Sequence, residues 1–282
     1  MTNQTYAYLG PKGTYSHEAA LFFSRMNEVE GELIECPTIS EVFDLVGRGR
    51  TTYGVVPIEN ALEGSVNETL DAFAFSSDAR ILAETVIDIH HNLIAPSGTE
   101  LHQIRTITSH PQALGQARRW LLTNLPAASL VATTSTAEGV RLAVADVTGS
   151  TAGIGTAFAA QLFGGTVIQE QIEDHYGNQT RFVLIGNTPA QASTYPKTSL
   201  ALFMKEDRPG TLLMILAEFG YAGVNLTKIQ SRPTKRALGD YMFWIDIDGN
   251  ADDPNVRTAL DCLRLKLREV KVIGSYPTIA YS

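Results

Sequence analysis

Over residues 1–187 the chain alternates short β-rich runs with amphipathic stretches: 6–9 then 16–26, and 53–58 then 66–75. Strand-type runs separated by helical ones cover both faces of a sheet, so this rhythm predicts an α/β fold with mostly parallel sheets. A second series follows, with strands at 106–109 and 130–133 and helices at 111–124, 136–147 and 156–162. It predicts a second lobe. The β-branched segment 81–96 is placed to cross from the first lobe to the second, and 166–186 to return. Lobe one then comprises about 1–80 plus 166–187, lobe two about 81–165, and two crossings make a hinged cleft.

The rhythm stops at a polar, Pro-punctuated stretch, which predicts a linker at 188–197. Beyond it the expected order is strand 198–204, helix 210–219, strands 225–232 and 239–248, helix 254–269 and strand 270–276. This is βαββαβ, a ferredoxin-like α+β domain over 198–282 with one helical layer on an antiparallel sheet.

Composition narrows the function. With 282 residues and 44% hydrophobic side chains, each domain can bury a core. Thirty acidic residues against 22 Lys plus Arg give a net charge of −8, which disfavours nucleic acid as a ligand. Cys36 and Cys262 stand far apart without a CxxC or Cys/His pattern, so neither a disulfide framework nor a zinc site is expected. The first six residues lack a basic segment followed by an apolar one, and no run approaches about 18 apolar residues. The expected compartment is the cytosol, with no membrane span.

Three features carry chemistry. Ser65-x-x-Glu68, Ser109-x-x-Gln112 and Ser135-x-x-Glu138 each fit a capping box after a strand. In an open α/β sheet such turns gather at the strands' carboxyl ends, where free amides and helix dipoles favour anions. Their convergence points to a small ligand with more than one negative charge, while each serine taken alone reads first as plain capping. The second feature, 54–66, is a buried strand presenting Glu59 and Asn60 before Gly64-Ser65. There a carboxamide either hydrogen-bonds a substrate or stabilises its own turn. The Gly-rich turn from Tyr8 to Ser16, which contains Thr14, also suits an anion but lacks the P-loop ending. In the third, 174–185, Thr180 and Arg181 stand at the edge of a strand. The Arg fork suits a carboxylate and the Thr hydroxyl a leaving oxygen; the plainer alternatives are a surface ion pair and β-propensity.

Other patterns are set aside. Gly153-Ile-Gly155 begins like a dinucleotide fingerprint, but Phe158 occupies the third glycine's place. His90 and His91, adjacent in an expected strand, point to opposite faces and do not share a metal. His17, His102, His110 and His175 read as structural or solvent-facing. No metal and no redox cofactor is expected.

Tyr8-Leu-Gly-Pro-Lys-Gly-Thr-Tyr15, Pro57-Ile-Glu-Asn60 with Gly64-Ser-Val66, Ser109-His-Pro-Gln112 with Gln116, and Thr180-Arg-Phe182 together resemble the prephenate dehydratase family. Asp207-Arg-Pro-Gly-Thr-Leu212 and Thr227-Lys-Ile-Gln-Ser-Arg-Pro233 resemble that family's ACT regulatory domain. The likeness spans nearly the whole chain. It implies a cofactor-independent lyase that converts prephenate to phenylpyruvate with loss of carbon dioxide and water, on the way to phenylalanine. It also implies a two-lobed catalytic domain resembling periplasmic binding proteins, with substrate in the cleft.

The catalytic set implied is Thr180, Arg181, Asn60, Ser109, Gln112 and Gln116, with Glu59, Ser65, Thr14 and Phe182 against the substrate. Similarity to ACT domains implies a homodimer or homotetramer formed through them, with L-phenylalanine as allosteric effector at their interface. The effector residues implied are Pro209, Gly210, Thr211, Leu212, Gln230, Ser231, Arg232 and Pro233, with Leu213 and Ile229 as further apolar wall. Three positions depart from the family pattern: Ala61 replaces a hydroxyl residue, Gln230 a Glu and Thr211 an Ala. Arogenate dehydratase and a non-catalytic amino-acid sensor are the competing readings.

Overall fold

The structure, a computed structural model, describes residues 4–26, 31–188, 196–236 and 240–281. The first half of the chain runs β1 (Thr5–Leu9), α1 (Tyr15–Arg25), β2 (Glu32–Cys36), α2 (Ile39–Gly47), β3 (Tyr53–Asn60), β4 (Gly64–Ser65), α3 (Asn67–Asp71), β5 (Arg80–Asp88) and β6 (Asn92–Ala95). It continues with β7 (Thr106–Ser109), α4 (Pro111–Gln116), α5 (Arg118–Asn124), β8 (Ser129–Ala132), α6 (Thr136–Val144), β9 (Thr151–Gly155), α7 (Ala157–Phe163), β10 (Thr166–Gln169) and β11 (Gln179–Gly186). The remainder is β12 (Pro196–Phe203), α8 (Thr211–Tyr221), β13 (Leu226–Pro233), β14 (Tyr241–Asp248), α9 (Pro254–Lys266) and β15 (Glu269–Pro277). Most of the expected linker, and residue 239, lie outside the described residues.

One sheet has the order β2-β1-β3-β11-β5, with β4 on β3, and a second β10-β6-β9-β7-β8. The second is mixed rather than mostly parallel, because β6 lies antiparallel to both β9 and β10 while β7 is parallel to β8 and β9. By compactness the chain forms one unit of Met1–Val42, Val55–Ser65 and Val86–Phe182, and another of Phe43–Gly54, Val66–Thr85 and Val183–Ser282.

In the first unit, α6 lies unusually close to the second sheet. A Cβ at Gly139 would meet the Thr108 carbonyl oxygen at 2.6 Å, and one at Gly153 would meet Val140 Cα at 2.7 Å. The Gly153-x-Gly155 pattern therefore serves helix-on-sheet packing. On one face of this sheet Leu93, Ile107, Leu114, Leu121 and Ile154 pack together, and Ile94, Val140, Ala159 and Ala160 form a second cluster.

The helix expected at 111–124 is broken at Ala117, whose ψ is 11°. At the break the Asp174 N–H donates to the Gln116 carbonyl at 2.7 Å, and the Asp174 carboxylate accepts from the N–H groups of Arg119 and Trp120. Asp174 thus caps α5 in the manner of an N-cap residue.

The second unit contains the βαββαβ sheet, ordered β13-β14-β12-β15 and antiparallel throughout. Alternate residues Leu200, Leu202, Phe243, Ile245 and Ile247 pack with Ile215 and Phe219 of α8 and Leu260 and Leu263 of α9. This is the one-sided burial that a single helical layer requires.

Candidate active site

Within the first unit a cavity of about 170 Å³ is lined by Tyr15, Asn60, Ile89, His91, His110, Gln112, Ala113, Gln116, Thr136, Gly155, Thr156, Asn178 and Thr180. Four helix starts contribute to its wall. Tyr15 and Thr136 open α1 and α6, while His110 and Thr156 are the N-caps of α4 and α7. Among the described residues no Lys, Arg, Asp or Glu lines it, so partial positive charge reaches it from helix amides and dipoles, above all those of α1 and α6.

Gly13 joins two of these starts. Its φ of +88° is in the range that only glycine adopts freely, and a Cβ there would meet Phe163 at 3.0 Å. Its N–H donates to His17 Nδ1 at 3.1 Å, and its carbonyl accepts from Thr156 Oγ1 at 3.2 Å. Burial, with Lys12 assisting, holds the His17 imidazole below the ordinary histidine range.

Asn60 organises the polar side of the cavity. Its Oδ1 accepts from the N–H groups of Leu62 and Glu63, at 2.9 and 3.0 Å. Its Nδ2 donates to Thr180 Oγ1 at 2.8 Å and to Asn178 Oδ1 at 2.9 Å. One carboxamide therefore fixes its own turn and also reaches Thr180. Because the Thr180 oxygen accepts from Asn60, its O–H hydrogen is left to donate, and no described residue accepts it.

Facing ligand space from the β5–β6 connection is His91, which is 6% exposed. Its Nε2 lies 2.7 Å from Gln116 Oε1, and its backbone N–H donates to Glu173 Oε2 at 2.9 Å. The other Glu173 oxygen lies 2.9 Å from His90 Nδ1. Burial lowers the His91 pKa below the ordinary value, against the opposing pull of Gln116 and Glu173. The two histidines lie between strands rather than within one, and neither belongs to a group of three or more His, Cys, Asp or Glu placed to hold a metal among the described residues.

Of the residues singled out from sequence, Thr180, Asn60, Gln112 and Gln116 meet in this wall; Ser109, Arg181, Glu59, Ser65, Thr14 and Phe182 do not line it. Ser109 is buried and donates to the Ile154 carbonyl at 2.7 Å. It is not a cap: Pro111 occupies the first turn of α4, which makes His110 the N-cap, with Nδ1 accepting from Gln112 N–H. Ser65 is no cap either, since β4 pairs it with Glu59 and the N-cap of α3 is Val66. Ser135 caps α6 as expected. Arg181 is 8% exposed, with Nε 3.4 Å from the partly exposed Glu59 Oε2, so its guanidinium is buried beside a carboxylate of this chain rather than part of a surface ion pair. Thr14 caps α1 and Phe182 belongs to the core. His91 and Thr156 join the cavity without a local motif that announces them, while Tyr15, Thr136 and Asn178 lie inside stretches the sequence marked for other residues.

In the second unit Pro209 and Gly210 are exposed, and Gly210, with φ +87°, precedes α8. Leu212, Leu213 and Ile229 are exposed, and α8 turns Ile215 and Phe219 to the core instead. Gln230, Ser231 and Pro233 lie along β13 opposite Trp244, Phe243 and Tyr241. Arg232 is engaged elsewhere: it is buried, 2.5 Å from Asp71 Oδ1, and also bonds the Asn67 side chain. Among the described residues no helix is long and apolar enough to cross a membrane.

A family model described as Prephenate dehydratase matches residues 6–190, and one described as ACT domain matches 198–261. The chain is 39% identical to a bifunctional chorismate mutase/prephenate dehydratase of Neisseria gonorrhoeae, over 97% of this chain and 74% of that protein. It is 37% identical to the prephenate dehydratase of Methanocaldococcus jannaschii, over 98% of both. A crystal structure of prephenate dehydratase from Arthrobacter aurescens in complex with L-Phe superposes with a TM-score of 0.87 at 35% identity, covering 97% of this chain and 90% of that one. With nearly its full length matched at this identity, the chain belongs to the prephenate dehydratase family and carries an ACT domain.

Proposed function

We propose that this protein is a prephenate dehydratase, a lyase that converts prephenate to phenylpyruvate, carbon dioxide and water in L-phenylalanine biosynthesis. The observation that carries the reading is the Asn60–Thr180 contact of 2.8 Å in the cavity wall. The reaction breaks the bond from the ring to its carboxylate, moves that electron pair through the ring as it becomes aromatic, and expels the ring hydroxyl as hydroxide. The barrier is the departure of that oxygen. Thr180, held by Asn60, donates its hydrogen to it, and the contribution is positioning and electrostatic stabilisation rather than strong acidity. The starts of α1 and α6 favour the two carboxylates. Gln112 and Gln116 are polar positioning groups, and the Arg181–Glu59 pair braces the strand ends beside Thr180.

Residues 1–187 are assigned to catalysis and 198–282 to regulation, joined by a linker at 188–197; the two family-model matches support this division. L-Phenylalanine is the proposed effector, as the Arthrobacter complex and the ACT match support. Exposed Leu212, Leu213 and Ile229 support pairing of copies through this domain. The proposed compartment is the cytoplasm.

The test is phenylpyruvate formation followed by absorbance. Wild type is expected to turn over prephenate with a higher kcat/KM than arogenate, and Thr180→Ala to lose about 10²-fold in kcat. Near-wild-type kcat in Thr180→Ala removes the assigned role, and absence of phenylpyruvate from wild type favours the sensor reading.

A further inference from the structure

His91 is more than nine-tenths buried, lines the cavity, and has an Nδ1 atom with no hydrogen-bond partner among the described residues. Its tautomer follows from its neighbours. The Gln116 amide oxygen at Nε2 requires the hydrogen there, which leaves a bare lone pair on Nδ1. The ring is held by its Nε2 contact with Gln116 and by burial, and the backbone beneath it by the His91 N–H on the Glu173 carboxylate. Burial favours the neutral form, which is the form that has this lone pair. A buried acceptor without a partner awaits a donor from the ligand.

The Thr180 hydroxyl hydrogen, on the same cavity wall, has the opposite sense: its oxygen already accepts from Asn60, which leaves the hydrogen to donate. One donor and one acceptor on one wall match a group that both accepts and donates. An alcohol does so. A carboxylate, a ketone or an ether brings no hydrogen and sets lone pair against lone pair at Nδ1.

We propose that His91 Nδ1 accepts the hydrogen of the substrate's ring hydroxyl, making His91 the residue that selects hydroxylated over deoxygenated ligands. The assignment deepens the dehydratase reading and rests on it. His91 takes no proton in this role. As the carbon–oxygen bond breaks, the oxygen gains charge and its hydrogen becomes a poorer donor, so the contact belongs to ground-state binding. Gln116 acts through His91 by holding its tautomer.

Calorimetry with two cyclohexane analogues of prephenate, differing only in the ring hydroxyl, tests the assignment without turnover. Wild type is expected to bind the hydroxylated analogue roughly tenfold more tightly. His91→Leu should lose most of that preference and keep only what the Thr180 hydroxyl contributes. His91→Asn, whose Oδ1 restores an acceptor near the Nδ1 position, should recover part of the preference. In turnover, His91→Leu should lose kcat/KM mainly through KM, a split that general misfolding would not give. If His91→Leu does not fold, His91→Ala carries the same expectation. An undiminished preference in the Leu or Ala variant, or no preference in wild type that still makes phenylpyruvate, overturns the hydroxyl assignment alone. Wild type that makes no phenylpyruvate overturns the dehydratase reading and this assignment with it.

Discussion

Asn60 closes a turn through its oxygen and holds the Thr180 hydroxyl through its nitrogen. His17 and His91 couple folding to chemistry differently: each receives or makes a specific hydrogen bond in its neutral form, and burial lowers the pKa of both. The groups facing them are Tyr8, Lys12 and Glu35 for His17, and Gln116, Glu173 and His90 for His91. In the unfolded chain each takes a proton near pH 6.5, whereas the folded protein resists until lower pH. The unfolded state therefore binds more protons below that point, and the stability these residues give, complete above about pH 6.5, is lost as pH falls. Urea titrations should show the unfolding free energy declining from pH 7 to 5.5, at up to about 1.4 kcal/mol per pH unit for each histidine. His17→Asn, which keeps an acceptor for the Gly13 N–H, should flatten that slope; an unchanged slope refutes the assignment. Sequence marked Thr180 and Asn60 by their places at strand ends, each with a plainer alternative beside it, and Gln112 and Gln116 through the family resemblance. His91 and Asn178 escaped, since their neighbours Gln116 and Asn60 are 25 and 118 positions away.

At the scale of elements, strand and helix order was legible because periodicity reports burial directly, and βαββαβ emerged intact. Caps were less so: a Ser-x-x-Gln pattern is satisfied one residue away from the real N-cap when Pro111 fixes the first turn. The break at Ala117 depends on Asp174, a residue with no local signature. The approach of α6 to its sheet gives a sharp mutational contrast. At Gly139 the atoms a Cβ would meet are backbone, the Thr108 carbonyl oxygen at 2.6 Å and Ser109 Cα at 2.8 Å, so the helix itself must move. Gly139→Ala should destabilise by about 1–3 kcal/mol and raise KM, because Thr136 at the start of α6 lines the cavity. Gly115, on α4, has nothing within 4 Å of its Cβ position, so Gly115→Ala should be neutral or stabilising by up to about 1 kcal/mol. Thermal melts of the two variants in parallel check this, and equal melting temperatures would refute it.

For the whole molecule, the two family models divide the chain near 190–198, yet compactness groups Val66–Thr85 with Val183–Ser282. The contacts inside that unit give the reason. The Phe73 ring lies 5.9 Å from Trp244, Arg232 holds Asp71, and Lys271 Nζ donates to the carbonyls of Phe73 and Ser77 at 2.8 Å. Glu84, 1% exposed, accepts from Lys197 at 2.5 Å and Thr278 at 2.6 Å. A chain ending at 187 loses all of these partners while keeping every cavity-lining residue, since those lie at or before Thr180. Stability and catalysis should therefore separate on truncation. Loss of the aromatic contact and of the buried ion-pair partners is expected to remove more than about 3 kcal/mol, lowering Tm by roughly 6–12 °C. Turnover of prephenate per folded molecule should persist, and inhibition by L-phenylalanine should vanish along with the segment proposed to bind it. Calorimetric melting and inhibition curves on the two lengths decide the matter: an unchanged Tm refutes the structural role of residues 196–281, and retained inhibition refutes their regulatory one.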